Sequence, residues 1–211
     1  MKVGIVMFYD DQIRDYGDIN FEINKRYCEK HNLDIIVSHT KFYMNRNSMW
    51  ERIPLILNSI KNYDYLVWID ADAFFYYDSK DIREVINAYP NQNFIFSFDI
   101  GNNNVNSGFF IVKNSEYCID FLIKWGFDDT LCYLNKHPHW PDQGVLMYMI
   151  EENTLDIINN CVMLDYGILQ HFTEDELQTM TPKPYVFHLA GKEGKIRYDT
   201  SKKYFETTFK I

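Results

Sequence analysis

The sequence predicts an α/β protein with a mostly parallel central sheet flanked by helices. Three observations support this. The chain opens as strand, polar loop, helix and second strand over residues 2–37. Residues 65–69, Tyr-Leu-Val-Trp-Ile, form an apolar run without alternation, bracketed by Asp64 and the acidic pair Asp70 and Asp72, the mark of a strand buried on both faces. Beyond it, strand-like and helix-like segments keep alternating to residue 189, the pattern of crossover connections on a sheet.

Residues 2–9 carry Val3, Ile5, Val6, Met7 and Phe8, the first buried strand, and the polar residues 10–17 form a loop at its carboxyl end. Asp18 is placed to cap a helix over 19–31, with Ile19, Ile23 and Tyr27 at helical spacing. Residues 33–37 are the second strand. This opening is half of a nucleotide-binding sheet, but it has no GxGxxG fingerprint, so no dinucleotide cofactor is expected. Ser48 with Glu51 has the capping-box spacing for a helix over 50–60, which Pro54 either starts or kinks.

After the central strand comes a short helix within 78–90, then a strand over 93–100 in which Phe94, Phe96 and Phe98 alternate. An Asn-rich loop covers 101–106, and Asn106-Ser107-Gly108 is a turn leading into a strand at 109–112 and a helix at 116–127. Residues 137–143 form a loop with two prolines that feeds a helix over 144–152. Residues 161–172 hold two short strands split at Gly167. Thr173 with Glu176 is a second capping box, 185–189 is the last strand, and a polar tail follows. No linker, repeat or low-complexity segment interrupts the chain, so one domain over 1–211 is expected.

Composition removes several function classes. The net charge of −9 supplies no basic field for nucleic acid or an anionic membrane. The four cysteines have neither CxxC nor metal-finger spacing, and read as reduced thiols of a cytoplasmic protein. No segment has the length of a signal-peptide core or a membrane span, so a soluble protein is expected. Aromatic residues make up 17% of the chain, enough to fill a core and to leave rings for stacking on sugars or bases.

Asp70 and Asp72 close the central strand, at the end of an α/β sheet where ligands bind. Two residues apart in extended chain, their carboxylates point the same way and would repel unless a hard cation sat between them. Mn²⁺ or Mg²⁺ suits such oxygen donors and carries a diphosphate well. The plainer reading is a solvated acidic turn.

Four landmarks lie in order along the chain: Trp68-Ile69-Asp70-Ala71-Asp72-Ala73, Asn106-Ser107-Gly108-Phe109-Phe110, Trp140-Pro141-Asp142-Gln143 and His188-Leu189-Ala190-Gly191-Lys192. Their order resembles the GT-A (Rossmann-like) glycosyltransferases, and within them the galactosyl/xylosyl/mannosyl-transferase family of plants and fungi, over roughly residues 3–192. Two departures stand out: no membrane anchor precedes the strand, and Lys192 follows Gly191 directly, where the family has an intervening Cys. The chain looks like a minimal catalytic domain, or like part of a longer multidomain glycosyltransferase.

The resemblance implies a metal held by Asp70, Asp72 and His188. It implies a donor site, for a UDP-sugar, formed by Phe8, Tyr9, Asp70, Ala71, Asn106, Ser107, Gly108, Gly191 and Lys192. Asp142, Gln143 and Lys192 take the catalytic roles: Asp142 on the sugar hydroxyls, Gln143 near the anomeric carbon, Lys192 on the leaving diphosphate. Trp50 and Arg52 are further donor-side candidates, and His137, His139 and Trp140 could line a groove for a saccharide acceptor. Each also has a structural reading: core packing for Phe8, a turn for Ser107, helix capping for Asp142 and Gln143, and loop packing for the acceptor-side residues. The function implied is retaining transfer of a hexose or pentose to a saccharide. Two alternatives stand beside it: a haloacid-dehalogenase-type phosphohydrolase, which also uses Asp-x-Asp but normally on its first strand, and a non-catalytic binder of nucleotide-sugars or glycans.

Overall fold

The computed structural model of the chain describes residues 1–43, 45–135, 139–173 and 183–210. Along the chain its strands are Val3–Phe8 (β1), Asp34–Ser38 (β2), Tyr65–Ile69 (β3), Ala73–Phe75 (β4), Phe94–Phe98 (β5), Val105–Lys113 (β6), Cys161–Leu164 (β7), Gln170–His171 (β8) and Val186–His188 (β9). Six form a sheet in the order β2-β1-β3-β6-β5-β7, and three form a small sheet, β4-β9-β8. In the large sheet β6 runs against both its neighbours and every other pair is parallel, which is the mostly parallel α/β sheet expected.

The helices are Arg14–His31 (α1), Arg52–Ser59 (α2), Arg83–Ala88 (α3), Glu116–Phe127 (α4), Asp129–Leu134 (α5), Pro141–Glu151 (α6), Ile157–Asn160 (α7) and Gly194–Phe209 (α8). They cover both faces of the large sheet. Val6 and Phe8 of β1 join Trp68, Phe96 and Phe110 in a core with α2, α4 and α6. Ile5 and Met7 face the other way and join Val67, Ile69 and Phe109 in a core with Tyr27 and Cys28 of α1. Strands sandwiched like this need apolar residues at every position, which is why β1 and β3 do not alternate. Much of the aromatic content fills these layers, as where Tyr27 stacks on Phe75 with ring centroids 4.1 Å apart. Among the described residues no helix is long and apolar enough to cross a membrane.

Several local expectations are corrected. Helix α1 begins at Arg14, after a 3-10 turn whose cap is Asp10, accepting the Gln12 N–H at 3.1 Å. Asp18 instead accepts the Tyr9 hydroxyl at 2.8 Å. Asn47 caps the turn before α2 through the Met49 N–H, while Glu51 accepts the Phe42 and Tyr43 N–H groups at 2.7 and 2.9 Å. Pro54 sits in the first turn of α2, where its missing N–H costs nothing. Asn106-Ser107-Gly108 is no turn but part of β6, which pairs with β5 and β3. The expected capping box at Thr173 runs to Glu176, outside the described residues. The polar tail is helix α8. Only Ser201 is fully buried in it, and it docks mainly through the half-buried rings of Tyr204, Phe205 and Phe209 against Ile19, Ile23 and Phe74. With its contact carried by one serine and partly exposed rings, α8 shows no apolar stripe in sequence.

The small sheet needs a second anchor, because β4 pairs with β9 along one edge only. Asn24 of α1 supplies it: its amide accepts the Phe75 N–H at 2.8 Å and donates to the Ala73 carbonyl at 3.2 Å, as a neighbouring strand would. Asn20, one turn earlier, donates to the Ala71 carbonyl at 2.8 Å. Asn24→Leu would leave both β4 groups buried without a partner, at about 1–3 kcal/mol each. Urea unfolding should show a loss of that size; a loss below about 0.5 kcal/mol would mean that another group or water takes the amide's place.

Candidate functional site

Strand β3 ends at Ile69, and the chain then crosses from the large sheet to the small one in the turn Asp70-Ala71-Asp72. The Asp70 N–H still bonds the Gly108 carbonyl of β6 at 2.8 Å, and the Ala73 N–H closes the turn on the Asp70 carbonyl at 3.0 Å. The carboxylates therefore project from a turn rather than from extended strand. In the small sheet Ala73 pairs with His188, and the Leu189 N–H bonds the Asp72 carbonyl at 2.8 Å. This register sets the His188 imidazole beside the Asp72 carboxylate, with Nε2 3.3 Å from Oδ1. Asp70, Asp72 and His188 each offer a ligand atom within 4.8 Å of the others. Two carboxylate oxygens and one imidazole nitrogen suit Mn²⁺, with Mg²⁺ the less apt because of the nitrogen.

Close approach at this point requires Gly108. A methyl group there would overlap the His188 ring and lie 2.8 Å from Asp70 Oδ2. This glycine, expected in the donor site, provides the space in which the three ligand groups meet.

Arg52 organises the flanking wall. It is almost fully buried at the start of α2 and pairs with Asp70 Oδ1 at 3.1 Å and with Asp142 Oδ2 at 3.0 Å. Its guanidinium also donates to the Ser107 carbonyl. The Trp68 indole N–H donates to Asp70 at 2.7 Å, so that carboxylate is held from two sides. Trp140 holds the cap position of α6 with no side-chain cap bond, and the Asp142 carboxylate meets the first-turn N–H groups of Asp142 and Gln143 while pairing inward with Arg52. Gln143 Oε1 accepts the Ser107 N–H at 2.9 Å and lies 3.2 Å from its hydroxyl. Ser107, Asp142 and Gln143 are thus brought to one place, whereas the Asn106 side chain turns to the Gly108 N–H and to Gln170.

Other candidates lie further into the protein or towards its edge. Phe8 is a core residue, and the Tyr9 ring is buried with its hydroxyl on Asp18, so neither presents a free face for stacking. Burial pushes the Tyr9 phenol above its ordinary value, helped by Asp18. The Ala71 carbonyl is taken up by Asn20. Gly191 adopts a left-handed φ of 69°, in a turn where the Lys192 N–H returns to the Leu189 carbonyl at 3.2 Å. The Lys192 ammonium has no carboxylate partner among the described residues. Trp140 and His139 are exposed near the start of α6, and His137 lies outside the described residues.

Two participants carried no sequence signal. Arg197 of α8 pairs with Asp72 Oδ2 at 2.8 Å and donates to the Tyr16 hydroxyl at 3.2 Å. Gln170 of β8 lies 2.8 Å from His188 Nδ1. Both come from short or polar segments that only the folded chain brings to the turn.

The electrostatics follow from this packing. Burial raises the Asp142 carboxyl above its ordinary value, against the pull of Arg52. Burial would also raise Asp72, but the charges of His188 and Arg197 outweigh it and hold Asp72 below the usual range. Burial works against the His188 imidazolium, and the Asp72 charge and hydrogen bond overcome it, so His188 is held above its ordinary 6.5. A raised histidine stabilises the fold fully below about pH 6.5 and loses that contribution as pH rises through its folded value. Asp72 contributes in the opposite sense: its share is present above its unfolded value and is lost as pH falls through its lowered one. In chelator-treated protein, the stability gap between wild type and His188→Asn should therefore be widest near pH 6 and shrink towards pH 9. A gap that grows with pH in urea melts would show that the imidazole is buried neutral.

A family profile described as "Protein of unknown function, DUF273" matches residues 24–165, well over half of the chain. Galactomannan galactosyltransferase 1 of Cyamopsis tetragonoloba is 25% identical over 178 residues, covering 72% of this chain and 40% of that protein. The chain thus spans less than half of that relative. Among solved structures, a glycosyltransferase involved in the glycosylation of the major capsid of PBCV-1 superposes with a TM-score of 0.75 at 12% identity, over 96% of this chain and 100% of that one. The apo form of the glycosyltransferase GlyE from Streptococcus pneumoniae TIGR4 gives 0.58 at 11% identity, over 100% and 63% of the two chains. The galactosyltransferase LgtC, solved with donor and acceptor sugar analogs, gives 0.53 at 10% identity, over 95% of each. At such identities the likeness speaks for the fold alone. The chain has the GT-A fold, and by its match over residues 24–165 it belongs to the DUF273 family.

Proposed function

We propose that the protein is a metal-dependent glycosyltransferase that moves a hexose or pentose from a nucleotide-sugar, in the first instance a UDP-sugar, to a saccharide acceptor. The observation that carries this reading is the convergence of Asp70, Asp72 and His188 at the carboxyl end of β3 on a GT-A fold. The galactosyltransferase name of the sequence relative makes UDP-galactose the first donor to test.

In this reading Asp70, Asp72 and His188 hold a divalent cation, with Mn²⁺ preferred for the nitrogen ligand. Such a cation neutralises the donor diphosphate and stabilises the charge that grows on it as the leaving group. Trp68 and Arg52 hold Asp70 in place, so its orientation needs no rearrangement when the donor arrives. Gly191 lets the chain turn tightly beside Lys192, whose ammonium balances the departing diphosphate. Arg52, Ser107, Asp142 and Gln143 form the polar wall on the sugar side.

Asp142 is buried and paired with Arg52, and Gln143 is uncharged, so neither is set up as a nucleophile. For the retaining transfer that the resemblance implies, this favours same-face attack over an enzyme-bound intermediate. The acceptor hydroxyl bonds to the anomeric carbon as the bond to the phosphate oxygen breaks, and its proton passes to the departing phosphate. Exposed Trp140 and His139 stand on the acceptor side. The phosphohydrolase alternative loses its ground, since the acidic pair follows the third strand of a GT-A sheet.

Thermal melts with UDP, UDP-galactose and other nucleotide-sugars should show stabilisation that requires Mn²⁺, and wild type should transfer or hydrolyse the sugar. Asp72→Asn should abolish Mn²⁺-dependent UDP binding while the protein stays folded. Unchanged UDP affinity in the folded variant would remove the metal site. Mn²⁺-dependent binding without sugar release on any donor would leave a binding protein in place of an enzyme. Lys192→Ala should lower kcat more than donor affinity, because its charge matters most in the transition state. A loss confined to KM would make Lys192 a ground-state contact.

A further inference from the structure

Behind His188 lies a chain of carboxamides whose direction is set by the backbone. The Gly108 N–H can only donate, and it donates to Asn106 Oδ1 at 2.9 Å. That atom is therefore the amide oxygen, since an NH₂ group there would face another donor. Gln170 Nε2 lies 3.2 Å from the same oxygen, so the nitrogen of Gln170 points to Asn106 and its oxygen points the other way. The Gln170 oxygen lies 2.8 Å from His188 Nδ1, and a carbonyl oxygen can only accept. Nδ1 consequently carries a hydrogen. The remaining nitrogen, Nε2, faces the acidic turn, 3.3 Å from Asp72 Oδ1.

The three side chains are enclosed, with Gln170 0%, His188 3% and Asn106 5% exposed. Solvent cannot replace a lost bond there. Strand register explains the contact. Gln170 of β8 pairs with Val186 of β9, two residues before His188, so Gln170 and His188 share one face of the small sheet.

We infer that Gln170 and Asn106 are positioning residues that lock His188 with Nδ1 protonated and Nε2 directed at the Asp70–Asp72 pair, as a nitrogen ligand for a divalent cation. This rests on the metal site proposed above and assigns its outer shell. With Nδ1–H held on Gln170, Nε2 is the nitrogen left to face a cation. Outer-shell partners of this kind set ring orientation and ligand basicity.

Two substitutions separate this role from simple packing. Gln170→Met fills the space without an acceptor. Gln170→Glu keeps one, and in its protonated form reproduces both bonds, to Nδ1–H and to Asn106 Oδ1. Mn²⁺ titration should show affinity reduced about 10- to 100-fold in Gln170→Met and largely retained in Gln170→Glu. A packing role forecasts the reverse order, because a buried Glu is harder to accommodate than Met. Wild-type affinity in Gln170→Met, or weaker binding in Gln170→Glu than in Gln170→Met, overturns the inference.

The second measurement uses the unaltered protein labelled with ¹⁵N-histidine. His188 Nδ1 should be protonated both without metal and with Mg²⁺, and a bare Nδ1 in either state overturns the inference. If wild type binds no Mn²⁺, the metal reading falls, and the Nδ1 proton alone then decides whether the carboxamide chain acts as described.

Discussion

Three carboxylates meet where the chain leaves one sheet for another, and the molecule is arranged around keeping them there. Asp70, Asp72 and Asp142 are drawn together by secondary structure and pushed apart by charge. Buried like charges persist only when paired. Arg52 answers Asp70 and Asp142 from α2, Arg197 answers Asp72 from the far end of the chain, and His188 closes on Asp72 from β9. Each counter-charge comes from a different element, so assembling the site and assembling the fold are one problem. A cation at Asp70, Asp72 and His188 would enter a site whose carboxylates are already oriented, which is the preorganisation that electrostatic catalysis relies on.

The second constraint is steric. The turn Asp70-Ala71-Asp72 approaches β6 so closely that Gly108 has no room for a side chain, and its two backbone groups serve different ends. The Gly108 carbonyl takes the Asp70 N–H, and its N–H orients Asn106, hence Gln170, hence His188. One residue thereby links the acidic turn to the imidazole that faces it. On the other side of the turn, Asn20 and Asn24 bond the backbone of residues 71–75 from α1, substituting for a missing strand. The backbone of the turn is thus held by hydrogen bonds on two sides.

The resemblance read from four short motifs anticipated the fold class and the meeting of Asp70, Asp72 and His188, because those motifs lie at strand ends and helix starts. It misjudged local detail wherever a polar residue had two possible partners. Asp18, Ser48 and Glu51 all match capping patterns, yet all three bond elsewhere: Asp18 takes a tyrosine hydroxyl, the Ser48 hydroxyl donates to Asp10, and Glu51 takes two N–H groups of a neighbouring loop. Capping signals describe what a residue offers within a few positions; a long-range donor at better geometry outcompetes them. Asn106-Ser107-Gly108 has turn composition but lies in a strand, because Asn106 pairs with Ser97 of β5 and the Gly108 carbonyl takes the Asp70 N–H on the other side.

What the sequence determined alone is what depends on neighbours along the chain: buried strands from continuous apolar runs, helices such as α4 from their spacing, and acidic residues at the end of β3. What only the tertiary structure decided is what depends on register between distant segments. Arg197 and Gln170 lie in stretches with no motif, 125 and 98 positions along the chain from the Asp72 turn as numbered, and reach the site because α8 packs on α1 and β8 pairs with β9. Sequence can name a carboxylate pair, since its chemistry is local. It cannot name the cation or carboxamide that completes the pair, since those are chosen by which strands lie side by side.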